Sequence, residues 1–226
     1  MIAGVNPTGW DQQLEWVRSG VSIAVGIHPW FVASSRQTNV DHLQQLEAFL
    51  SDHRSDIRAI GETGLDFART QDDTLRSEQK HAFRSHIHFA AKWELPLILH
   101  AVKAHESIVT TLKSEGLPKS GGVVHSFSGS AEMAKDYVRL GFHVSFSGAI
   151  THPNRKRLHA AVAAVPDELL LVETDSPDQT PWNRRPSPNE PAFLIDVISK
   201  AAFIRNQSPE EVAQITTQNA LRLFSP

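Results

Sequence analysis

The chain contains no cysteine. Disulfide staples and thiolate metal sites are therefore excluded, and the composition suits a reducing compartment such as the cytoplasm. Long hydrophobic runs are missing too. No stretch approaches the ~18 apolar residues of a membrane span, so no membrane association is expected. The opening Met1-Ile2-Ala3-Gly4-Val5 is short and uncharged and is not expected to serve as a secretory leader. Charge of one sign is not in excess. There are 22 Lys and Arg against 25 Asp and Glu, a net charge of -3, which excludes a DNA-coating protein but not a local phosphate-binding rim. No repeat, low-complexity block or long linker interrupts the sequence. Its 226 residues, 40% of them hydrophobic, suit one large α/β domain or two small ones.

What the chain does have is an alternation of short apolar runs and helical patterns. Strands are expected over 2–5, 21–27, a run ending at Glu62, a run from Leu95 to His100, another from Gly122 to His125, then 142–146, and a run leading from Leu169 to Asp175. Helices are expected from Trp10 to Ser19, Asp41 to His53, Thr74 to Trp93, His105 to Ser114, Glu132 to Leu140 and Arg155 to Val165, then after Pro191 and after Ser208-Pro209. Leu43, Leu46, Phe49 and Leu50 share one helical face, as do Phe83, Ile87 and Ala90. Strands that alternate with helices predict parallel βαβ units.

Four of the apolar runs lead to a side chain that can hold a metal: Glu62, His100, His125 and Asp175. The ends of parallel strands are where barrels and open sheets carry their sites. A buried carboxylate costs several kcal/mol unless it is paired or metal-bound, so Glu62 is the strongest of the four. Glu173 shares a face with Asp175 by strand alternation, which fits a partner for a ligating histidine or a plain buried ion pair. Asp66 fits either a group that orients the Glu62 loop or a turn residue. His28 closes the second strand. Ser126-Phe127-Ser128-Gly129 could hold a phosphate oxygen or simply cap a helix through Ser128 or Ser130. Arg155-Lys156-Arg157 and Arg184-Arg185 fit a nucleic-acid backbone or a solvated helix start. Trp10, Trp16 and Trp93 read as packing, whereas Trp30 and Trp182 lie in loops where a base could stack. No lysine stands at the expected end of the fourth strand, so a carbamylated-lysine bridge is not expected.

An ordered set of motifs resembles the TatD family of metal-dependent hydrolases, in the wider amidohydrolase superfamily. The set is Gly26-Ile27-His28-Pro29, Gly61-Glu62-Thr63-Gly64-Leu65-Asp66, the helical pattern Gln79, Phe83, His86 and Ala90, Leu95 to His100, Val124 to Gly129, Glu173-Thr174-Asp175-Ser176-Pro177 and Asn189-Glu190-Pro191. It covers nearly the whole chain. The resemblance implies an α/β fold, a (β/α)8 TIM-type barrel, with a single domain over 1–226. It implies a deoxyribonuclease or other ester-bond hydrolase that uses metal-activated water and one or two divalent ions, Mg, Mn or Zn. It makes Glu62 a bridging carboxylate, His100 and His125 ligands of one metal, and Asp175 a ligand of the other and the catalytic base. It puts His28 near the substrate side; Ser128 and Asn189 are further substrate-binding candidates, and Asp66 and Glu173 candidate supports of the ligands.

One segment departs from the family pattern. Members open with a strand carrying His-x-His, and here the first strand, ending Gly4-Val5-Asn6-Pro7, matches the family's second. His86-Ile87-His88 has the spacing but lies in a helical pattern. The expectation is a barrel missing its first βα unit of roughly 30 residues, with about seven strands, through a start-site error or a truncation. Glu62 and Asp175 alone then suit Mg or Mn better than Zn. Two alternatives stand beside the nuclease reading: a degenerate metal- or phosphate-binding protein without catalysis, and a hydrolase of small esters, lactones or amides. The sequence does not reveal the oligomeric state.

Overall fold

The structure, a computed structural model, describes residues 1–17 and 19–225. Position 18, inside the first expected helix, lies outside the described residues. The chain divides into two compact units, 1–123 and 124–225.

In the first unit, β1 (Ile2–Ala3), β2 (Ile23–Val25), β3 (Ile57–Asp66) and β4 (Leu97–Val102) pair in parallel in that order, with Ile2 opposite Ile23, Ala24 opposite Ala59 and Ile60 opposite Leu97. All of β2 is buried, as a continuous apolar run in a parallel sheet requires. The helices are α1 (Trp10–Val17), α2 (Arg36–Asp52), α3 (Asp73–Trp93) and α4 (His105–Glu115). Helix α2 begins at Arg36 rather than Asp41 because the Ser35 hydroxyl accepts the Thr38 N–H and caps it there. Asp72 caps α3 through the N–H groups of Thr74 and Leu75. That helix packs on β3 and buries Gln79, Phe83, His86, Ile87 and Ala90, so the His86-Ile87-His88 sequence is helical, as its pattern implies.

Two strands run further than their apolar stretches. After a register shift between Ile60 and Thr63, β3 continues alongside β4, with Gly64 opposite His100 and Asp66 opposite Val102. Gly64 permits this approach. Its φ is +124°, and a Cβ there would lie 2.2 Å from the His100 carbonyl oxygen. The extension is what carries Asp66 to the His100 side chain.

The strand β5 (Gly122–Val124) falls at the boundary of the units. In the second unit, β6 (His143–Phe146) pairs in parallel with β7 (Leu170–Val172), Val144 opposite Leu170 and Phe146 opposite Val172. The helices are α5 (Ala131–Arg139), α6 (Lys156–Ala164), α7 (Leu194–Arg205) and α8 (Pro209–Phe224). Ser130 caps α5, and Ser208 with Glu211 forms a reciprocal capping box at α8, which packs on β7 and α7. Pro191 opens a short 3-10 turn, Pro191–Phe193, that feeds α7. The seven strands expected from the sequence are all present, and their alternation with helices is that of a TIM-type (β/α) fold. No helix among the described residues is long and apolar enough to cross a membrane.

Candidate metal centre

In the first unit, the side chains of His28, Glu62 and His100 offer donor atoms that all lie within 4.8 Å of one another. Each is delivered by the sheet. His28 follows β2, where its N–H donates to the Val5 carbonyl (2.9 Å) and the preceding Ile27 N–H donates to His86 Nε2 (3.0 Å). Glu62 lies within β3 and donates its N–H to the Gly4 carbonyl (2.9 Å). His100 lies within β4. The His28 and His100 rings meet edge to face, centroids 4.4 Å apart, and His28 Nε2 stands 3.5 Å from Glu62 Oε2.

The partners of the two imidazoles assign their protons. His28 Nδ1 accepts the Trp30 N–H (3.1 Å), capping the turn Pro29–Phe31. A neutral ring that accepts at one nitrogen carries its hydrogen on the other, so His28 presents Nε2–H toward Glu62 and acts as a donor. His100 is the reverse. Its Nε2 lies 3.2 Å from Asp66 Oδ2. Asp66 is 2% exposed. Its Oδ2 also accepts Trp30 Nε1–H (2.7 Å), and its Oδ1 accepts the N–H groups of Ala68 (2.9 Å) and Arg69 (3.3 Å). Burial by itself raises the Asp66 pKa, but the hydrogen bonds from His100, Trp30 and the Ala68 N–H prevail and hold it well below the usual carboxylate range. An ionised carboxylate only accepts, so His100 donates from Nε2 and keeps its lone pair on Nδ1. Metal-ligating histidines are oriented in this way by a carboxylate behind them.

In the second unit, His125, Glu173 and Asp175 form a like group, their donor atoms within 4.8 Å of one another. His125 follows β5, and Glu173 and Asp175 follow β7. Glu173 Oε1 accepts the Ser126 N–H (2.6 Å) and lies 3.5 Å from His125 Nδ1, while Asp175 Oδ1 is 3.9 Å from the same nitrogen. The hydroxyls of Ser126 and Ser147 share a hydrogen bond of 2.9 Å. Asp175 has a left-handed backbone, φ +59°, which Asp tolerates better than most residues. Its loop is tied from outside. Asn189 Nδ2 donates to the carbonyls of Thr174 (2.7 Å) and Asp178 (2.5 Å), and the Asn189 N–H donates to that of Pro177 (3.3 Å).

The structure thus gathers Glu62 and His100 with His28, and His125 and Asp175 with Glu173. Asp66 stands behind His100. Asn189 clamps the Asp175 loop. Ser128 is exposed and belongs to neither group, and capping falls to Ser130. Because β4 runs on to Val102, Lys103 does follow its end, exposed and outside both groups. Arg69, Ser147 and the support that His86 gives to β2 were not apparent from the sequence. For His86 the available signal was a polar residue on the buried face of a helix. The donor set is imidazole and carboxylate without thiolate, a chemistry that fits Mg, Mn or Zn, so the residues present suit the divalent cation implied by the family resemblance.

The family described as TatD related DNase matches residues 1–225. The uncharacterized metal-dependent hydrolase YabD of Bacillus subtilis is 37% identical over 201 residues, spanning 89% of this chain and 76% of that protein. The uncharacterized metal-dependent hydrolase YcfH of Escherichia coli is 36% identical over 207 residues, 92% of this chain and 75% of that protein. Among solved structures, the TatD homolog YjjV of Escherichia coli aligns with a TM-score of 0.90 at 28% identity, covering 99% of this chain and 85% of that one. A TatD family hydrolase from Entamoeba histolytica, 20% identical, shares the fold with a TM-score of 0.83 over 100% of this chain and 84% of that one. The chain belongs to the TatD family of metal-dependent hydrolases and has a TIM-type (β/α) fold.

Proposed function

We propose that this hydrolase cleaves phosphodiester bonds in DNA with one or two divalent cations, for which Glu62 and His100 in the first unit and His125 and Asp175 in the second are the candidate ligands. The observation that carries the reading is the pairing of histidines with carboxylates at strand ends, His100 with Asp66 and His125 with Glu173 and Asp175. A divalent cation supplies, when bound, Lewis acidity toward a phosphoryl oxygen and a lowered pKa for water. The protein's own groups do the rest. Asp66 keeps the His100 lone pair on Nδ1. Asn189 keeps the 174–178 loop, and with it Asp175, in place. Water forms the new bond to phosphorus while the Asp175 carboxylate takes its proton. The bond from phosphorus to the leaving oxygen breaks, and that oxygen is protonated from solvent. His28 faces the Glu62 carboxylate, its Nε2 3.5 Å from Oε2, and so restricts it.

The test is cleavage of DNA with added Mn²⁺ or Mg²⁺, compared between the wild type and His100→Ala. The variant is expected to be slower by roughly 100-fold or more. Equal rates would overturn the ligand assignment. Cation binding by calorimetry without DNA cleavage would overturn the nuclease reading in favour of a binding protein. Turnover confined to small esters, lactones or amides would overturn the substrate class.

A further inference from the structure

Helices α3 and α4 of the first unit border an open cleft of about 250 Å³. Polar grooves between neighbouring helices are ordinary. This one differs in what lines it. Helix α3 contributes two cations one turn apart, Lys80 and Arg84, and α4 contributes the hydroxyls of Ser107, Thr110 and Thr111. Residues three and four apart share a helix face, so each helix turns a stripe of hydrogen-bond donors to the cleft. Thr111 is 6% exposed. A buried hydroxyl in a helix is ordinarily paired, as Thr216 is with the Val212 carbonyl (2.9 Å). The Thr111 hydroxyl is bonded to no group among the described residues, and neither are those of Ser107 and Thr110. The cations are open as well. Lys80 Nζ stands 5.7 Å from the Phe67 ring centroid, with no carboxylate within 4.0 Å among the described residues. Arg84 turns Nε to Glu115 Oε1 (3.2 Å), while the other Glu115 oxygen lies 3.0 Å from His88 Nε2. The terminal nitrogens of Arg84 donate to no group among the described residues. Glu115 is outside the lining, and Glu106 is the one acid among the described residues within it. Helix α4 begins at Ala104 with no side-chain cap, which leaves the positive end of its dipole on the Ser107 side.

Ammonium, guanidinium and hydroxyl groups together are a donor set for phosphate, which accepts through three oxygens and carries close to two negative charges. A carboxylate, with two oxygens and one charge, would leave part of this set unused. Glu106 repels an oxyanion but accepts from a hydroxyl, so the fit is to a phosphate joined to a hydroxyl-bearing group. The volume lies below the ~300–1,000 Å³ of drug-sized pockets, which suits a small molecule. We infer that the cleft between α3 and α4 is a binding site for a small hydroxylated phosphate monoester. Its residues belong to neither group of candidate metal ligands, and the inference does not depend on DNA cleavage.

The test is isothermal titration calorimetry with glycerol phosphate, run in EDTA so that no divalent cation holds the probe at the candidate metal centre. Inorganic phosphate and glycerol are the comparison probes. The wild type is expected to bind glycerol phosphate with a Kd below about 1 mM, more tightly than inorganic phosphate, and to give no heat with glycerol. Lys80→Met is expected to raise Kd roughly 10-fold or more, and Thr111→Val roughly 2- to 10-fold. Lys80→Arg, which keeps the charge, is expected to stay within about 3-fold of the wild type. His100→Ala is expected to bind as the wild type does. Absence of wild-type binding, or a Kd unmoved by both Lys80→Met and Thr111→Val, would overturn the site. Loss of binding in His100→Ala would overturn it too, because the phosphate would then sit at the metal centre. Lys80→Arg binding no better than Lys80→Met would overturn the role of the charge. Equal affinity for inorganic phosphate would overturn the ester in favour of the free ion.

Discussion

Acidification is expected to weaken this fold, and His86 carries a separable part of the loss. The side chain is 0% exposed. Its Nε2 accepts the Ile27 N–H (3.0 Å), and its Nδ1 lies 2.7 Å from the Ala82 carbonyl, to which it donates. The neutral ring satisfies both contacts, and a second proton would turn the acceptor against an N–H. Burial pushes the His86 pKa from 6.5 down to about 4, against a smaller opposite pull from the Ala82 hydrogen bond. Between those values the unfolded chain binds more protons than the folded one. Stability is therefore full above 6.5, falls as the pH drops toward 4, and levels off below. The gap corresponds to a ceiling of roughly 3 kcal/mol, of which about 2 kcal/mol is lost by about pH 5. The assay is urea unfolding at about pH 7.5 and about pH 5 for the wild type and His86→Gln. The glutamine amide offers an acceptor to Ile27 and a donor to Ala82 but does not titrate. His81, whose pKa is lowered by its burial and by Arg36, titrates in both proteins and cancels. The wild type should lose about 2 kcal/mol more than the variant over this interval. Equal losses would refute the assignment. Because Ile27 directly precedes His28, the same loss would loosen the end of β2 at the candidate centre.

The strands were legible because a buried parallel strand leaves a continuous apolar run, as in Ile23-Ala24-Val25 and Leu97-Ile98-Leu99. Their ends were less so. The Thr63-Gly64 step carries no apolar signal, and β3 persists through it only because β4 lies alongside. Likewise Arg36 to Val40 shows no helical apolar face, and the start of α2 depends on the Ser35 cap. Pattern records what a segment buries. It does not record which neighbour completes its hydrogen bonds.

The same divide runs through the site. Glu62, His100, His125 and Asp175 could be picked out because acids and imidazoles at strand ends are chemically conspicuous. Their partners could not be assigned by spacing, since Trp30 and Asp66 are 36 positions apart and Ser126 and Glu173 are 47 apart. Proton positions lay further still from the sequence. His28 becomes a donor only because its own loop turns back to cap Trp30, and His100 is oriented only because β3 overruns to Asp66. A histidine's role is set by what its second nitrogen meets, and that is a property of the tertiary structure.

The same geometry makes two further outcomes measurable. Gly64→Ala would set a side chain at φ +124° and bring its Cβ to 2.2 Å from the His100 carbonyl oxygen. The fold should lose roughly 3 kcal/mol or more by urea unfolding, and a loss below about 1 kcal/mol would show that β3 and β4 do not depend on that close approach. Asn189→Ala removes the donors to Thr174 and Asp178 from a residue only 6% exposed. Leaving those carbonyls unpaired should cost about 2 kcal/mol of stability. Since the freed loop carries Asp175, turnover at saturating Mn²⁺ should fall along with stability, and more Mn²⁺ should be needed for half-saturation. A purely structural residue would lower the urea midpoint and leave both kinetic quantities unmoved below it, and that result would detach Asn189 from the positioning of Asp175.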